Sequence, residues 1–248
     1  MILCLDAGNT RLKWGLFDAQ MNPSAGGALA YTALDQLDTP VAELAVLANV
    51  AGADIGERIA ALLSRTGIPL HRAVAVASQC GVTNGYDVPA QLGVDRWAAL
   101  IGARGRQPGP CLVVMAGTAT TVDLLDAGGI FRGGLILPGL DLMRTSLTRN
   151  TAQLGPAAGE FRGLPTNTAD AIMSGCLHAQ AGAIERQFAR IAREPDALCL
   201  LGGGAAPALA PLLSIPFLRV DTLVLEGLAR IGRGVMGLPQ VGRAHPGA

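Results

Sequence analysis

The apolar positions of the chain follow one order of elements twice. In the first half, apolar runs alternate with stretches of helical period. Three strands are predicted in succession, near residues 2–6, 11–17 and 28–32. Apolar, strand-like segments at 44–50 and 72–77 then alternate with helical patterns at 54–66 and 95–105. The first half is therefore predicted to begin as a three-stranded meander and to continue as α/β alternation.

A polar run rich in Gly and Pro, residues 104–110, interrupts this pattern and predicts a connection between two halves. The order then repeats with strands near 111–115, 119–125 and 130–137, a helix after Gly139, a long helix near 168–193, a strand at 197–201 and a final helix near 223–236. Residues 151–167 have little periodicity and are predicted either to cover a site or to run over the surface, and the tail 239–248 is predicted to fray. We predict a mixed α/β protein of two ribonuclease-H-like domains of the actin-like ATPase type, residues 1–109 and 110–248, with a ligand cleft between them.

Both halves place a Gly-containing turn directly after their first strand. The turns are Asp-Ala-Gly-Asn-Thr at 6–10 and Met-Ala-Gly-Thr-Ala at 115–119. Glycine lets main-chain N–H groups approach phosphate oxygens, and Thr and Asn side chains add short hydrogen bonds. A tight hairpin uses the same residues for steric reasons alone, so a single turn leaves both interpretations open. The recurrence in the second half favours nucleotide phosphates.

Two charged residues add chemistry to the first turn. The carboxylate of Asp6 is suited to a Mg²⁺ ion that accompanies a nucleotide. Lys13 is the only lysine among nineteen basic residues. In the alternation of the second strand, Leu12 and Trp14 share one face and Lys13 lies on the other. The lysine is therefore predicted to face whatever the turn binds.

The composition excludes several classes of function. Nineteen basic and nineteen acidic residues balance, so the chain lacks the charge excess typical of nucleic-acid or membrane-surface binding, and no apolar run is long enough to span a bilayer. The five cysteines lack C-x-x-C spacing and lie mostly in apolar runs, which predicts buried hydrophobic side chains and not metal ligands or disulfides. We expect a cytoplasmic protein that acts on a small molecule.

A second candidate group of residues lies between the turns, with Tyr86 followed by Gly-Val-Asp-Arg-Trp at 93–97. Asp95 opens a helical stretch and is compatible with a simple N-cap, and Arg96 is compatible with a solvated side chain. A kinase, however, needs a carboxylate that accepts the proton of the attacking hydroxyl, and a substrate with its own carboxylate needs a bidentate cation. Asp95 and Arg96 supply these two groups.

Taken in order, these motifs resemble the type III pantothenate kinases of the actin-like, sugar-kinase and heat-shock-chaperone superfamily, including the branch of the Bvg accessory factors. The matching segments are 6–10 with Lys13, 86–97, Ala-Gly-Thr-Ala-Thr-Thr-Val-Asp at 116–123, Gly-Gly-Leu-Ile-Leu-Pro-Gly at 133–139 and Asn-Thr-Ala-Asp-Ala-Ile at 167–172. Together they span most of the chain. The resemblance implies phosphorylation of pantothenate by ATP with Mg²⁺, the first step of coenzyme A biosynthesis, in a homodimer.

The resemblance also implies roles for individual residues. The ATP-binding residues would be Asp6, which would also lie near Mg²⁺, and Ala7, Gly8, Asn9, Thr10, Arg11, Leu12, Lys13 and Thr118. The pantothenate pocket would contain Tyr86, Gly93, Val94, Asp95, Arg96 and Thr168. In that pocket Asp95 would be the catalytic base and Arg96 would pair with the pantothenate carboxylate. Without the family, Tyr86 is a packing aromatic, and Thr168 is a helix-start residue beside an Asn167 cap.

The second turn departs from the family pattern at one position. The family's turn usually begins with Asp, taken to bind a monovalent cation, K⁺ or NH₄⁺, whereas Met115 stands there in this chain. A thioether is a poor ligand for K⁺, so the alternative metal candidate is Asp123, which is otherwise an ordinary polar residue near a strand end. Met115 favours an alternative function, a non-catalytic nucleotide-binding regulatory accessory protein of the same fold. The intact first turn and the pair of Asp95 and Arg96 favour the kinase.

Overall fold

The computed structural model of the chain describes residues 1–37, 41–149 and 159–240. Its strands are β1 Ile2–Ala7, β2 Leu12–Phe17, β3 Pro23–Leu29, β4 Leu44–Asn49, β5 Leu70–Arg72, β6 Ser78–Gln79, β7 Val82–Asn84, β8 Cys111–Ala116, β9 Ala119–Leu125, β10 Ile130–Pro138, β11 Leu198–Gly202 and β12 Phe217–Arg219. Its helices are α1 Ala53–Thr66, α2 Val94–Arg106, α3 Leu140–Arg149, α4 Thr168–Phe188, α5 Ala206–Leu209 and α6 Leu223–Val235. Parts of the predicted surface segment and of the predicted frayed tail, residues 151–158 and 241–248, lie outside the described residues.

The chain divides into two compact units. The first contains Met1–Pro108, Leu125–Gly133 and the segment that begins at Thr222. Its sheet has the order β3-β2-β1-β4-β5, in which β1 pairs antiparallel with β2 and parallel with β4. A meander of three strands, extended in parallel beyond its first strand, is the ribonuclease-H-like arrangement that the sequence predicts.

The second unit contains Gly109–Leu124 and Gly134–Asp221. Its strands are neighbours in the order β12-β11-β8-β9-β10, and β11 runs parallel to both β8 and β12. If the strands of each unit are numbered in chain order, β8 to β12 become strands 1 to 5 of the second unit. Read from the β10 edge, the second array then has the order 3-2-1-4-5, the same as the first sheet. The repeated order predicted from the hydrophobic pattern is therefore confirmed.

Neither unit is one continuous segment of chain. The predicted boundary, between residues 109 and 110, lies one residue after the division between Pro108 and Gly109. The structure in addition assigns Leu125–Gly133 and helix α6 to the first unit. Helix α6 packs against β1 and β4, where a β-carbon on Gly232 would lie 2.9 Å from methyl groups of Ile2 and Val46. The periodicity of α6 predicts a buried face, but it carries no information about which sheet covers that face.

Strand β3 differs most from its predicted position, because it spans Pro23–Leu29 and was predicted at 28–32. It is a mostly exposed edge strand, so no apolar alternation marks it. Pairing with β2 sets its register and places Gly27 opposite Trp14. A β-carbon on Gly27 would lie 3.1 Å from the indole Nε1 of Trp14, so glycine leaves room for that ring.

Two other elements are shorter than predicted. The apolar segment at 72–77 forms no long strand, since β5 ends at Arg72 and Val74 is 62% exposed. Helix α4 ends at Phe188 and not at 193. In both cases the apolar pattern continues beyond the end of the element. The local sequence therefore does not mark where the regular backbone stops.

Each unit has its own hydrophobic core. In the first unit, side chains of β1, β2, β4 and α1 form one cluster that includes Leu3, Leu47 and Ile59. In the second, β8 and β11 pack against α4 through Val114 and Ile184. Four of the five cysteines are buried, as predicted, and all five are free. Within the described ranges, no helix is both long enough and apolar enough to span a membrane.

Helices α2 and α6 of the first unit approach each other to backbone distance. A β-carbon on Gly102 would overlap the carbonyl oxygen of Leu223, and one on Gly227 would overlap the carbonyl oxygen of Ala98. Glycine is therefore required on both helices at the point of contact. Because α2 begins at Val94, this contact fixes the helix that carries the second group of candidate residues.

An ion pair accompanies this helix contact. The guanidinium Nε of Arg106 donates to Oε2 of Glu226 at 2.6 Å, and the hydroxyl of Thr222 donates to Oε1 of the same carboxylate at 2.6 Å. Glu226 is 4% exposed. A buried carboxylate requires such partners, because water no longer solvates its charge.

Candidate active site

The first candidate turn connects β1 to β2. The two strands pair so that Asp6 lies opposite Lys13 and Ala7 lies opposite Leu12. Residues 8–11 form the turn between them, and 9–11 are exposed. Leu12 is buried in the core cluster whereas Lys13 is half-buried, which confirms the predicted faces of β2. Cross-strand partners share a face of the sheet, so the lysine lies on the same face as the Asp6 carboxylate.

Asp6 is a buried carboxyl group, only 9% exposed. Burial raises its pKa to about 6, the charge of Lys13 lowers the pKa in part, and the charge of Asp95 raises it further. Lys13 and Asp95 therefore both lie close enough to act on the Asp6 carboxyl group inside the first unit. At neutral pH, Asp6 is ionised at an energetic cost that a nearby cation would offset.

Asp95 lies in the first turn of α2, behind the N-cap residue Gly93 and the first helical residue Val94. Its Oδ1 accepts a hydrogen bond from the backbone N–H of Arg96 at 2.8 Å. A β-carbon on Gly93 would lie 2.7 Å from that oxygen, so glycine leaves the space that the carboxylate occupies. The N-cap interpretation of Asp95 is therefore wrong, because Gly93 holds that position. The carboxylate is still favoured there by the positive end of the helix dipole.

Arg96 is buried, with 5% of its surface exposed, so the interpretation as a solvated side chain is wrong. Its Nη1 donates to the hydroxyl of Tyr86 at 2.9 Å. The guanidinium carbon lies 5.6 Å from the ring centre of Tyr86 and 5.7 Å from that of Phe131. Two aromatic faces and a phenol hydroxyl thus hold the cation in one orientation. Such a cation is suited to a carboxylate, since guanidinium binds carboxylates in a bidentate manner.

The second candidate turn connects β8 to β9 through Gly117 and Thr118. Thr118 is exposed, and its carbonyl oxygen accepts a hydrogen bond from the N–H of Gly139 at 2.9 Å. A β-carbon on Gly139 would overlap the carbonyl oxygens of both turn residues. Gly203 supports the other side, with φ +98° and no space for a β-carbon beside the Ala116 carbonyl. Backbone from two other parts of the unit therefore fixes this turn.

Met115 is half-buried beside Gly202 of β11, where a β-carbon would lie 3.2 Å from the methionine sulphur. Asp123 lies farther along β9 and is only 1% exposed. The hydroxyl of Thr121, on the same face of β9, has no hydrogen-bond partner among the described residues. The described residues contain no group of three or more His, Cys, Asp or Glu side chains placed to hold a metal ion.

Thr168 is the first residue of α4 and is exposed. The side chain of Asn167 caps the helix by accepting a hydrogen bond from the N–H of Asp170 at 3.0 Å, which confirms the predicted cap. Thr118, Asp123 and Thr168 are the predicted site residues that belong to the second unit. In the first unit, the structure brings Asp6, Lys13 and Asp95 within electrostatic reach and places Tyr86 against Arg96.

Comparison with known proteins identifies the family of this chain. The type III pantothenate kinase family matches residues 2–190. The chain belongs to this family. A type III pantothenate kinase from Aromatoleum aromaticum is 57% identical over 238 residues, which cover 94% of this chain and 98% of the relative. Another from Dechloromonas aromatica is 48% identical over 236 residues, which cover 93% of this chain and 98% of the relative.

Solved structures show the fold of this type III pantothenate kinase family member. A Campylobacter jejuni structure described as a Baf family transcriptional activator matches with a TM-score of 0.61 at 18% identity, covering 95% of this chain and 100% of that chain. A Sinorhizobium meliloti structure described as a 2-dehydro-3-deoxygalactonokinase matches with a TM-score of 0.57 at 16% identity, covering 96% and 100%. These likenesses confirm the predicted actin-like, sugar-kinase fold, and at such identities they show the fold alone.

The sequence did not predict a role for two aromatic residues that lie beside the candidate site of this pantothenate kinase. The ring of Phe131 lies 5.3 Å from the ring of Tyr86, and the hydroxyl of Tyr31 donates to the carbonyl oxygen of Gly8. Phe131 reaches its position because β10 pairs with β7, which places it opposite Asn84. No spacing in the sequence indicates that pairing, since the two strands are far apart along the chain.

Proposed function

We propose that this type III pantothenate kinase transfers the γ-phosphoryl group of ATP to the primary hydroxyl of pantothenate and forms 4'-phosphopantothenate, the first step of coenzyme A biosynthesis. One observation of the structure carries the proposal: in the first unit, the buried Asp6 lies opposite Lys13 in the β1–β2 pair, and the charge of Asp95 also acts on its carboxyl group. This arrangement combines a cation-binding carboxylate, a phosphate-binding lysine and a base. The family match and the names of the relatives support the same reaction.

The first turn is proposed to bind the phosphates of ATP. Residues 7–12 would contribute main-chain N–H groups, and Lys13 would contribute a positive charge. The family resemblance adds Thr118 to the proposed ATP-binding residues. Asp6 fits a Mg²⁺ ion that enters with the nucleotide, because a buried carboxylate with a pKa of about 6 gains most from a cation at neutral pH. When bound, the metal would neutralise charge on the transferred phosphoryl group.

Asp95 and Arg96 are proposed to act on pantothenate. Asp95 accepts the proton of the attacking hydroxyl, and the hydrogen bond from the N–H of Arg96 at the start of α2 orients its carboxylate. The guanidinium of Arg96, held by Tyr86 and Phe131, pairs with the carboxylate of the substrate. Tyr86, Gly93 and Val94 complete the proposed pocket in the first unit. The family resemblance adds Thr168 to the proposed pantothenate-binding residues.

The role of a monovalent cation is a separate part of the proposal. We propose that K⁺ or NH₄⁺ is not held at position 115, because a methionine packed beside Gly202 offers no hard oxygen ligand. Asp123 is the remaining carboxylate of this region, and it is buried on β9. Turnover in the absence of both cations is therefore expected.

We propose a homodimer that forms through one face of α4. Four small residues on this helix, spaced by three or four positions, are exposed: Ala171, Gly175, Ala179 and Gly182. Leu164, just before the helix, is 93% exposed, and Phe161 is 40% exposed. Exposed large apolar residues beside a helix face of small residues are suited to close packing against a second copy.

A cytoplasmic location belongs to the same proposal. The chain has five cysteines and no disulfide. Free thiols are typical of proteins in a reducing compartment.

A coupled phosphorylation assay tests the proposal. Purified protein is incubated with ATP, Mg²⁺ and pantothenate in the presence of K⁺, of NH₄⁺ and of neither cation. We expect turnover in all three conditions. Pantothenate whose carboxylate is amidated serves as the control acceptor, and a strong loss of activity with it is expected because Arg96 then has no anionic partner.

Each result has a distinct meaning. Turnover only with K⁺ or NH₄⁺ would contradict the proposed loss of the cation site and leave the kinase assignment intact. Equal activity on the amidated compound would contradict the role of Arg96. Absence of turnover from folded protein that binds ATP would favour the regulatory accessory protein, the alternative that Met115 suggests.

A further inference from the structure

Tyr31 connects the first turn to a distant part of the first unit. It begins a short 3₁₀ helix, Tyr31–Gln36, that follows the edge strand β3. Its side-chain hydroxyl donates a hydrogen bond to the carbonyl oxygen of Gly8, which lies 23 positions earlier in the chain. Gly8 is the first residue of the proposed phosphate-binding turn.

The tyrosine is itself held on two sides. The guanidinium of Arg58 in α1 donates to the carbonyl oxygen of Tyr31 at 2.9 Å. The ring of Tyr31 packs against the buried core cluster of the first unit. Burial, with a further contribution from the charge of Asp6, raises the pKa of Tyr31 to about 12, so the phenol remains a protonated donor at any physiological pH.

The hydrogen bond to Gly8 fixes more than one atom. A trans peptide group is planar, and its C=O and N–H point in opposite directions. The described residues contain no cis peptide bond, so the carbonyl of Gly8 and the N–H of Asn9 belong to one such plane. When the hydroxyl of Tyr31 holds the carbonyl oxygen of Gly8 toward itself, the N–H of Asn9 points away from Tyr31.

Glycine makes this constraint necessary. Gly8 lacks a β-carbon, and the peptide that follows a glycine rotates more freely than any other. A free turn would spend part of its time with the carbonyl oxygen, and not the N–H, directed at the ligand. A carbonyl oxygen repels a phosphate, whereas an N–H donates to it.

We propose that Tyr31 is a positioning residue that keeps the Gly8–Asn9 peptide in the orientation required for binding the phosphates of ATP. The inference rests on the proposed function, because it assigns the turn to a nucleotide. Tyr31 acts through the backbone of Gly8 and takes no part in the chemical step. Its effect is therefore expected in the affinity for ATP and not in the affinity for pantothenate.

The Tyr31→Phe variant tests this assignment, because it keeps the packed ring and removes only the hydroxyl. We expect the KM for ATP, and the Kd of a non-hydrolysable ATP analogue measured by calorimetry, to rise about fivefold, the effect of losing one hydrogen bond of typical net strength. The KM for pantothenate should stay within about twofold of the wild-type value, since the two sites use different residues.

The matched control is Tyr86→Phe, which removes the hydroxyl of the other tyrosine in the chain. This variant should raise the KM for pantothenate, because Arg96 loses the partner that orients its guanidinium. Amide hydrogen exchange gives a second readout, in which Tyr31→Phe accelerates exchange at residues 8–10 of the ligand-free protein. A thermal melt verifies that both variants are folded.

The outcomes separate this inference from the proposed function. An unchanged Kd for the ATP analogue in Tyr31→Phe, or an equal rise in both KM values, would overturn the role of Tyr31. Wild-type protein that binds the analogue but does not phosphorylate pantothenate would refute the substrate assignment, and the ratio of the two Kd values would still decide the role of Tyr31. Wild-type protein that does not bind the analogue would refute both.

Discussion

Single residues of the candidate site have properties that depend on their surroundings. Asp6 and Arg96 were both selected from the sequence for their chemistry, yet their electrostatic states follow from burial. Asp6 is 9% exposed and its pKa is raised to about 6, and Arg96 is 5% exposed and lies beside two aromatic rings. A residue type predicts which reaction a side chain can perform, and the environment sets the energetic cost of keeping it charged.

The burial of Asp6 predicts a pH-dependent stability. Because its pKa is raised, the folded protein binds this proton more tightly than the unfolded chain does, so stability falls as the pH rises from about 4 to about 6 and is then constant. The shift from 3.8 to about 6 corresponds to about 3 kcal/mol of unfolding free energy. The ligand-free Asp6→Asn variant should therefore exceed the wild type in stability by about 3 kcal/mol at pH 7 and equal it near pH 4.

Urea denaturation at both pH values, without nucleotide, measures this difference. A gain that is the same at pH 4 and pH 7 would show that Asn improves packing and that the Asp6 charge is not the cause. The same variant is expected to lose ATP binding, because the proposed ligand of Mg²⁺ is gone. Stability and activity should thus change in opposite directions.

Asp95→Asn is predicted to fold normally and to lose turnover. The amide oxygen of Asn can accept the hydrogen bond from the N–H of Arg96 that Oδ1 of Asp95 accepts, so the start of α2 should be preserved. Asn cannot accept the proton of the substrate hydroxyl, and loss of a general base lowers kcat by about 10² to 10⁴. Steady-state kinetics with a thermal melt checks both statements, and a wild-type rate would remove Asp95 from the mechanism.

At the scale of elements, the sequence predicts helices α2 and α6 correctly but not their contact. Gly102 and Gly227 were unremarkable small residues within helical patterns, since glycine in a helix lowers the helix propensity without indicating a partner. The structure shows that both lie where two backbones meet. These glycines are therefore explained by a tertiary contact. The same contact holds α2 in place, and the candidate base Asp95 is the second residue of that helix.

This contact makes a prediction with an internal control. Gly227→Ala should reduce the unfolding free energy by about 3 kcal/mol, because the new methyl group overlaps the carbonyl oxygen of Ala98 and the two helices must separate. Gly234→Ala, in the same helix, should be neutral or stabilising by up to about 1 kcal/mol. Among the described residues, its β-carbon would meet only Gln240, at 3.9 Å. Chemical denaturation of both variants measures their unfolding free energies. Equal losses of unfolding free energy would argue against the helix contact.

At the scale of the whole molecule, two features stand out, and the first is the repetition of the fold. Both units have the same 3-2-1-4-5 strand order, and each places a glycine turn after its first strand. The second feature is the exposed face of α4, for which the structure of one chain offers no partner among the described residues. We assign that face to the second copy of the proposed homodimer.

Gly175→Arg is predicted to convert the homodimer into a monomer. Among the described residues, a β-carbon at Gly175 would have no neighbour within 4 Å, so the single chain is expected to accept the larger side chain without strain, whereas a packed helix interface does not. Ala61→Arg on the exposed side of α1 is the matched control and should leave the dimer intact. Light scattering after size-exclusion chromatography gives the mass of each. A dimer that survives Gly175→Arg would place the interface elsewhere.

The candidate site shows where prediction from sequence succeeds and where it stops. The faces of β2 and the cap at Asn167 were predicted because they depend on neighbours within a few positions. Tyr31 and Phe131 were missed because each reaches the site through a partner distant in the chain, Gly8 for one and Tyr86 for the other. Local spacing does not encode such contacts.

The sequence by itself determined the order of the elements, the repetition of that order and the candidate residues for the chemistry. These depend on hydrophobic period, turn residues and side-chain type, all of which are local. Only the tertiary structure decided that α6 returns to the first unit, that β3 begins at Pro23, and that Asp6 and Arg96 are buried. The physical reason is that burial and pairing depend on contacts between distant segments, and the energies of those contacts exist only once the chain has folded.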